Sequence, residues 1–256
     1  MSRALDVALA TPEAAGAERK PAVIPSRGFN VLLGATLLTF LYLIAFVFLK
    51  APEAQAQAGG LAQKIFYFHV PSAYAMYLGG GVCFLASAMY LYGATDRRDA
   101  WARAGAECAV VFSLMVLTSG PLWAKKAWGV YWTWDPRLTT TVLSSLIYVA
   151  IVVLRAFGGS GDAEKRFAAA LGVLGTINLP IIHYSVQKWW GLHPQVVTGK
   201  GEGLKHPDMS HALLVGFLAM TLLAATLLWL RARLAHNSLR LARIEEEAAT
   251  RGALQD

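Results

Sequence analysis

The chain has 256 residues, 56% of them hydrophobic and only 15% charged, with a formal net charge of +7. Soluble domains carry about a quarter of charged residues, so this composition excludes an ordinary soluble globule, whose single core has no room for so much apolar sequence. The basic balance raises a nucleic-acid partner, and the placement of the charges along the chain removes it.

Residues 1–27 are rich in Ala, Pro and charge without an apolar period, and are expected to form a mobile tail. A membrane span needs ~20 mostly apolar residues, and residues 29–49 supply the first without a single charge. The segment Ala56-Gln57-Ala58 resembles a small-residue cleavage site. The apolar stretch before it exceeds the ~7–15 residues of a signal-peptide core, so an uncleaved anchor is expected. Further spans are predicted at 74–92, 109–123, 138–154, 167–182 and 212–230, the third and fifth being short enough to extend into their flanks. The fold class is therefore all-α, a polytopic membrane protein of about six transmembrane helices. Its organisation reads as a tail (1–27), a transmembrane domain (28–230) and a C-terminal helix and tail (231–256), the last expected to continue the final span. Its alternating Leu and Arg, followed by Glu245-Glu246-Glu247, suit a membrane-surface helix or a partner-docking one.

Two cysteines, Cys83 and Cys108, fall in or at the edge of predicted spans and form no CxxC pattern, so they read as small buried apolar residues rather than haem-attachment or zinc ligands. With the N-terminus placed in the cytoplasm, the inside segments hold 15 of the 23 Lys and Arg and the outside loops hold 8. That is the positive-inside bias, and it orients both termini toward the cytoplasm. The charge reports topology and contact with membrane lipid, not nucleic acid.

The densest feature lies between the third and fourth spans, on the outside. It runs Trp123-Ala-Lys125-Lys126-Ala-Trp128-Gly129-Val-Tyr131-Trp132-Thr-Trp134-Asp135-Pro136-Arg137 and holds four of the chain's eight tryptophans. As a short interfacial helix it would present Trp128, Tyr131, Trp132 and Asp135 on one face. An aromatic belt accounts for one or two tryptophans per loop, not four around one glycine. Asp135 before Pro136 is placed to N-cap the fourth span with proline at N1, and Arg137 to pair with Asp135 or with an anionic ligand group.

His69, in Phe68-His69-Val70-Pro71, is expected just before the second span, and His183, in Ile182-His183-Tyr184, at the outer end of the fifth. Both fall on the side and at the depth of the tryptophan segment. Neutral imidazole is a common axial ligand of haem iron. Haem needs an aromatic surface, axial ligands and cations near its propionates. The outer face offers Trp128, Trp132 and Trp134, then His69 and His183, then Lys125, Lys126, Arg137 and Lys188. His193 and His206 share that side in a polar loop, and His236 is on the other. Such a site works by position, without nucleophile or general base. On the residues alone, a membrane haem or quinone oxidoreductase, a structural subunit and a two-histidine metal site stay open as other readings.

The run Trp128-Gly129-Val-Tyr131-Trp132-Thr-Trp134-Asp135-Pro136-Arg137 resembles the tryptophan-rich "WWD" signature of haem-handling membrane proteins. Together with Phe68-His69-Val70-Pro71, Asn178-Leu-Pro180-Ile-Ile-His183-Tyr184-Ser185-Val186 and six spans, it is similar to the CcmC family, haem exporter protein C of the cytochrome c maturation system. The likeness covers about residues 65–190 and leaves out both tails. It implies haem b held non-covalently on Trp123, Trp128, Tyr131, Trp132, Trp134, Asp135 and Arg137, with His69 and His183 bearing on the iron. It further implies delivery to the periplasmic haem chaperone CcmE and a bacterial inner-membrane complex with CcmA, CcmB and CcmD. The chain is then a haem-handling subunit rather than an enzyme. It has no P-loop, so ATP hydrolysis falls to an ATP-binding-cassette partner. Its length argues against the larger synthase relatives that share the signature.

Overall fold

The structure is a computed structural model that describes residues 27–54, 59–158, 161–189 and 204–250. Among the described residues there is no strand. The helices are α1 (Arg27–Leu49), α2 (Phe66–Tyr92), α3 (Asp96–Trp128), α4 (Pro136–Phe157), α5 (Asp162–Thr176), α6 (Asn178–Trp189) and α7 (Pro207–Thr250), with a 3-10 turn at Gly60–Ile65 before α2. Among the described residues, six stretches are long and apolar enough to cross a membrane, α5 and α6 together making the fifth. Helices suit that setting because lipid offers no partner to an open backbone group.

Several helices outrun the spans expected from apolarity alone. At 1.5 Å per residue the 33 residues of α3 reach roughly 50 Å, against a hydrocarbon core of about 30 Å. Its last turns, Trp123 to Trp128, therefore stand beyond the apolar stretch. The second span begins at Phe66 rather than at residue 74, because Tyr67 is fully buried in an apolar cluster with Leu43 and Val47 of α1 and Leu213 and Ala219 of α7. His69 consequently lies inside the first turns of α2 and not ahead of the span. The helix α7 runs unbroken to Thr250, so residues 231–250 continue the last span, with Ala232 and Ala235 still buried. The Ala56-Gln57-Ala58 segment lies outside the described residues.

The short interfacial helix expected over the tryptophan segment does not form. α3 continues through Trp128 and stops at Gly129, whose φ of +77° is the left-handed value glycine adopts freely. Residues 130–135 then run without helix to Asp135. Pro136 disfavours helical geometry at the residue before it, and Asp135 is extended (φ −78°, ψ 163°). The Asp135 carboxylate accepts from the Leu138 N–H at 2.8 Å, with proline at N1. Two strong local signals, a glycine stop and an Asp-Pro start, thus override the i, i+3, i+4 spacing of the aromatics.

Between α5 and α6 the fifth span breaks at Ile177. Pro180 has no N–H to offer the Thr176 carbonyl. Asn178 holds the break in place by donating from Nδ2 to the Thr140 carbonyl and to Ser144 Oγ, both at 2.7 Å. The core is tight where small residues let backbones meet: a Cβ on Gly105 would sit 2.4 Å from the backbone nitrogen of Cys83, the close approach typical of membrane helices. At the end of the bundle away from the tryptophans, ion pairs tie the helices together. Asp99 and Arg155 form a buried pair at 2.5 Å. Glu107 takes Arg103 (3.1 Å) and Arg231 (2.6 Å), and Asp96 takes Arg243 (2.5 Å).

Candidate functional site

The start of α2, the end of α3, the start of α4 and α6 surround a partly open cavity of about 460 Å³, closed on one side by Phe217 of α7. This is within the ~300–1,000 Å³ of typical small-ligand sites. Trp123, Trp128, Trp132, Arg137, His69 and His183 all line it. Residues separated by more than a hundred positions in sequence therefore share one space.

The aromatic wall is built from the helix end. Trp123 and Trp128 meet edge to face with ring centres 5.1 Å apart, and the buried Gln63 accepts from Trp123 Nε1 at 3.0 Å. Trp132 follows across the Gly129 stop and is met edge-on by Trp134 at 5.5 Å. Such contacts are worth about 0.5–1.5 kcal/mol per pair beyond burial, enough to hold the indoles in fixed orientations.

His69 is half-buried on α2, with its Nδ1 2.9 Å from Ser119 Oγ of α3. His183 is exposed on α6, edge-on to the Tyr184 ring at 5.0 Å. Its backbone carbonyl accepts from Arg137 Nη2 at 3.2 Å, so one side chain links the start of α4 to the histidine on α6. The expected Asp135–Arg137 ion pair is not among the described pairs. The Asp135 carboxylate is taken up in capping α4, and Arg137 donates to the His183 carbonyl instead.

Three residues expected at the site lie off the cavity wall. Tyr131 is exposed under Lys125 Nζ, 5.2 Å from its ring centre. Trp134 is 74% exposed behind Trp132. Asp135 is buried at the cap. Lys125 is engaged with the Gly129 carbonyl at 2.9 Å; Lys126 and Lys188 are exposed and do not line the cavity. His206 is exposed beside Asp208 at the start of α7, His236 is exposed on its far extension, and His193 lies outside the described residues. Sequence reasoning missed Gln63, Ser119, Gly120 and Phe217. The available signal was polarity or smallness in apolar surroundings: a glutamine beside an apolar run, and Ser119-Gly120-Pro121 within a span.

Trp132 Nε1 and Arg137 Nε, on two residues that line the cavity, are buried with no hydrogen-bond partner among the described residues, as is Asp135 Oδ2 nearby. Buried polar groups are nearly always paired, and a carboxylate is the acceptor that an indole N–H and a guanidinium fork suit best. The cavity thus combines apolar walls, two imidazoles and a guanidinium. Among the described residues no three His, Cys, Asp or Glu side chains cluster as a metal site. An iron porphyrin supplies four nitrogens of its own and asks only one or two axial ligands of the protein, so this donor set fits it.

The CcmC family, described as Heme exporter protein C, matches residues 15–247. The Heme exporter protein C of Bradyrhizobium diazoefficiens is 36% identical over 178 residues, 69% of this chain and 67% of the relative. That of Escherichia coli strain K12 is 30% identical over 203 residues, 79% of this chain and 80% of the relative. A ccmC-like mitochondrial protein of cytochrome c biosynthesis from Arabidopsis thaliana is 29% identical over 229 residues, covering 87% and 84%.

Proposed function

The chain belongs to the Heme exporter protein C (CcmC) family, which handles haem in cytochrome c maturation, and on that premise we propose that it holds haem b non-covalently in the cavity beneath the tryptophan segment and passes it to the chaperone CcmE. The observation that carries this reading is the convergence of His69, His183, Trp123, Trp128, Trp132 and Arg137 on one space.

In this reading His69 and His183 approach the iron from α2 and α6. The indoles of Trp123, Trp128 and Trp132 pack against the macrocycle. Arg137 and Trp132 Nε1 meet a propionate, supported by Arg137 Nε and Trp132 Nε1 having no partner among the described residues. Arg137 also holds the His183 carbonyl, so charge recognition and the ligand on α6 are joined. Tyr131 and Trp134, exposed on the rim, meet the part of the macrocycle that protrudes, or the chaperone that takes it. Asp135 acts through the cap that fixes the loop.

We place the chain in the bacterial inner membrane, termini cytoplasmic and cavity periplasmic, on the 15-to-8 distribution of basic residues. The sequence contains no P-loop, so any ATP hydrolysis falls to a partner, the ATP-binding-cassette pair CcmA and CcmB, with CcmD completing the complex. The test is the visible spectrum of the purified chain with haemin. A Soret band is expected that changes in His69→Ala and in His183→Ala and is untouched in His236→Ala. Unchanged haem loading in both cavity variants would remove the proposal.

A further inference from the structure

Of the two imidazoles at the cavity, one is held by a built seat in α3. His69 Nδ1 lies 2.9 Å from Ser119 Oγ. The single hydroxyl hydrogen of Ser119 goes one turn back, to the Met115 carbonyl at 2.5 Å. Its oxygen therefore meets the ring as an acceptor, and the ring nitrogen facing it is the one that carries the proton. A neutral imidazole has one N–H, so a proton on Nδ1 leaves the lone pair on Nε2, the nitrogen a metal would use.

The next residue shapes the same seat. A Cβ built on Gly120 would lie 3.1 Å from His69 Cε1, so the ring edge rests against bare backbone. Cε1 sits between the two ring nitrogens, so a side chain at this position would crowd the edge that carries them. Ser119 and Gly120 thus act as a pair, one holding Nδ1 and the other admitting the ring.

We propose that Ser119 is a positioning residue for haem binding, its Oγ accepting from His69 Nδ1–H so that Nε2 is presented to the iron in a fixed tautomer and orientation. This rests on the assignment of His69 as a ligand made above. Partners of this kind, bonded to the far nitrogen of a ligating histidine, typically cost ten- to a hundredfold in affinity when removed.

The experiment uses the full chain with 15N-labelled histidine in lipid bilayers, read by solid-state NMR before any haem is added. The His69 signals are identified by their loss in His69→Ala. The wild type is expected to show a protonated Nδ1 and an unprotonated Nε2. Ser119→Ala is expected to lose that preference, and Ser119→Thr, which keeps the hydroxyl, to restore it. Haemin titration of the same samples should then show about ten- to a hundredfold weaker binding in Ser119→Ala and near wild-type binding in Ser119→Thr. A proton on Nε2 in the wild type overturns the inference without any variant. So does unchanged haemin affinity in Ser119→Ala while His69→Ala loses binding, and in that case His69 still stands as a ligand. Haemin binding that is indifferent to His69→Ala removes the ligand role, and the inference with it.

Discussion

Replacing Arg137 by Leu tests whether the cavity reads a carboxylate. The guanidinium lines the cavity with its Nε lacking a partner among the described residues, and a hydrogen bond to a charged group contributes about 1.5–3 kcal/mol. At 1.4 kcal/mol per decade that is about a 10- to 150-fold difference in affinity. The assay compares haemin with its dimethyl ester, which keeps the macrocycle and iron and removes the negative charge. Wild-type protein should prefer haemin over the ester by that factor, and Arg137→Leu should lose the preference by weakening haemin more than the ester. Some loss with both ligands is expected, since Arg137 also holds the His183 carbonyl at 3.2 Å. Equal weakening of the two, or a wild type indifferent to esterification, refutes the carboxylate role.

Gly120→Val should push the His69 ring off its seat, because the first carbon alone falls 3.1 Å from Cε1; a shifted Soret band with little change in thermal unfolding is the expected readout. Asp135→Ala removes the cap of α4 and should lower stability by about 1 kcal/mol, seen as a lower unfolding midpoint that Asp135→Asn recovers. Arg155→Met leaves Asp99 buried without its partner and should cost about 3–5 kcal/mol, whereas Asp99→Leu with Arg155→Met should regain most of it; thermal unfolding of the two variants separates them. Gly105→Leu cannot be accommodated against the Cys83 backbone 2.4 Å away and should abolish the monodisperse peak in size-exclusion chromatography.

The number of spans was legible because runs of apolar residues of bilayer length leave little choice of structure. The Asp135-Pro136 start of α4 was equally legible, being a local signal of two adjacent residues. What failed was periodicity over the tryptophan segment: the spacing of Trp128, Tyr131 and Trp132 suits a helix, yet Gly129 ends one and Pro136 forbids its continuation into the next. The true starts of α2 and α3 lie outside the apolar runs because Tyr67 and Thr95 set them by packing and capping, neither of which hydropathy measures. At the site, His69, His183 and the tryptophans announced themselves by residue type. Gln63 and Ser119 did not, since a glutamine or a serine acquires its role only from the partner that folding brings to it. Arg137 was legible as a cation but not in its reach to the His183 carbonyl, which depends on a partner 46 residues away.

One iron porphyrin, held between α2 and α6 by imidazoles and flanked by indoles, is the central expectation. An electron cryo-microscopy map of the chain loaded with haemin measures this directly. Density for the macrocycle is expected in the cavity lined by Trp128 and Trp132, with the iron reached by both His69 and His183. Density elsewhere on the bundle, or iron held by neither histidine, would contradict it.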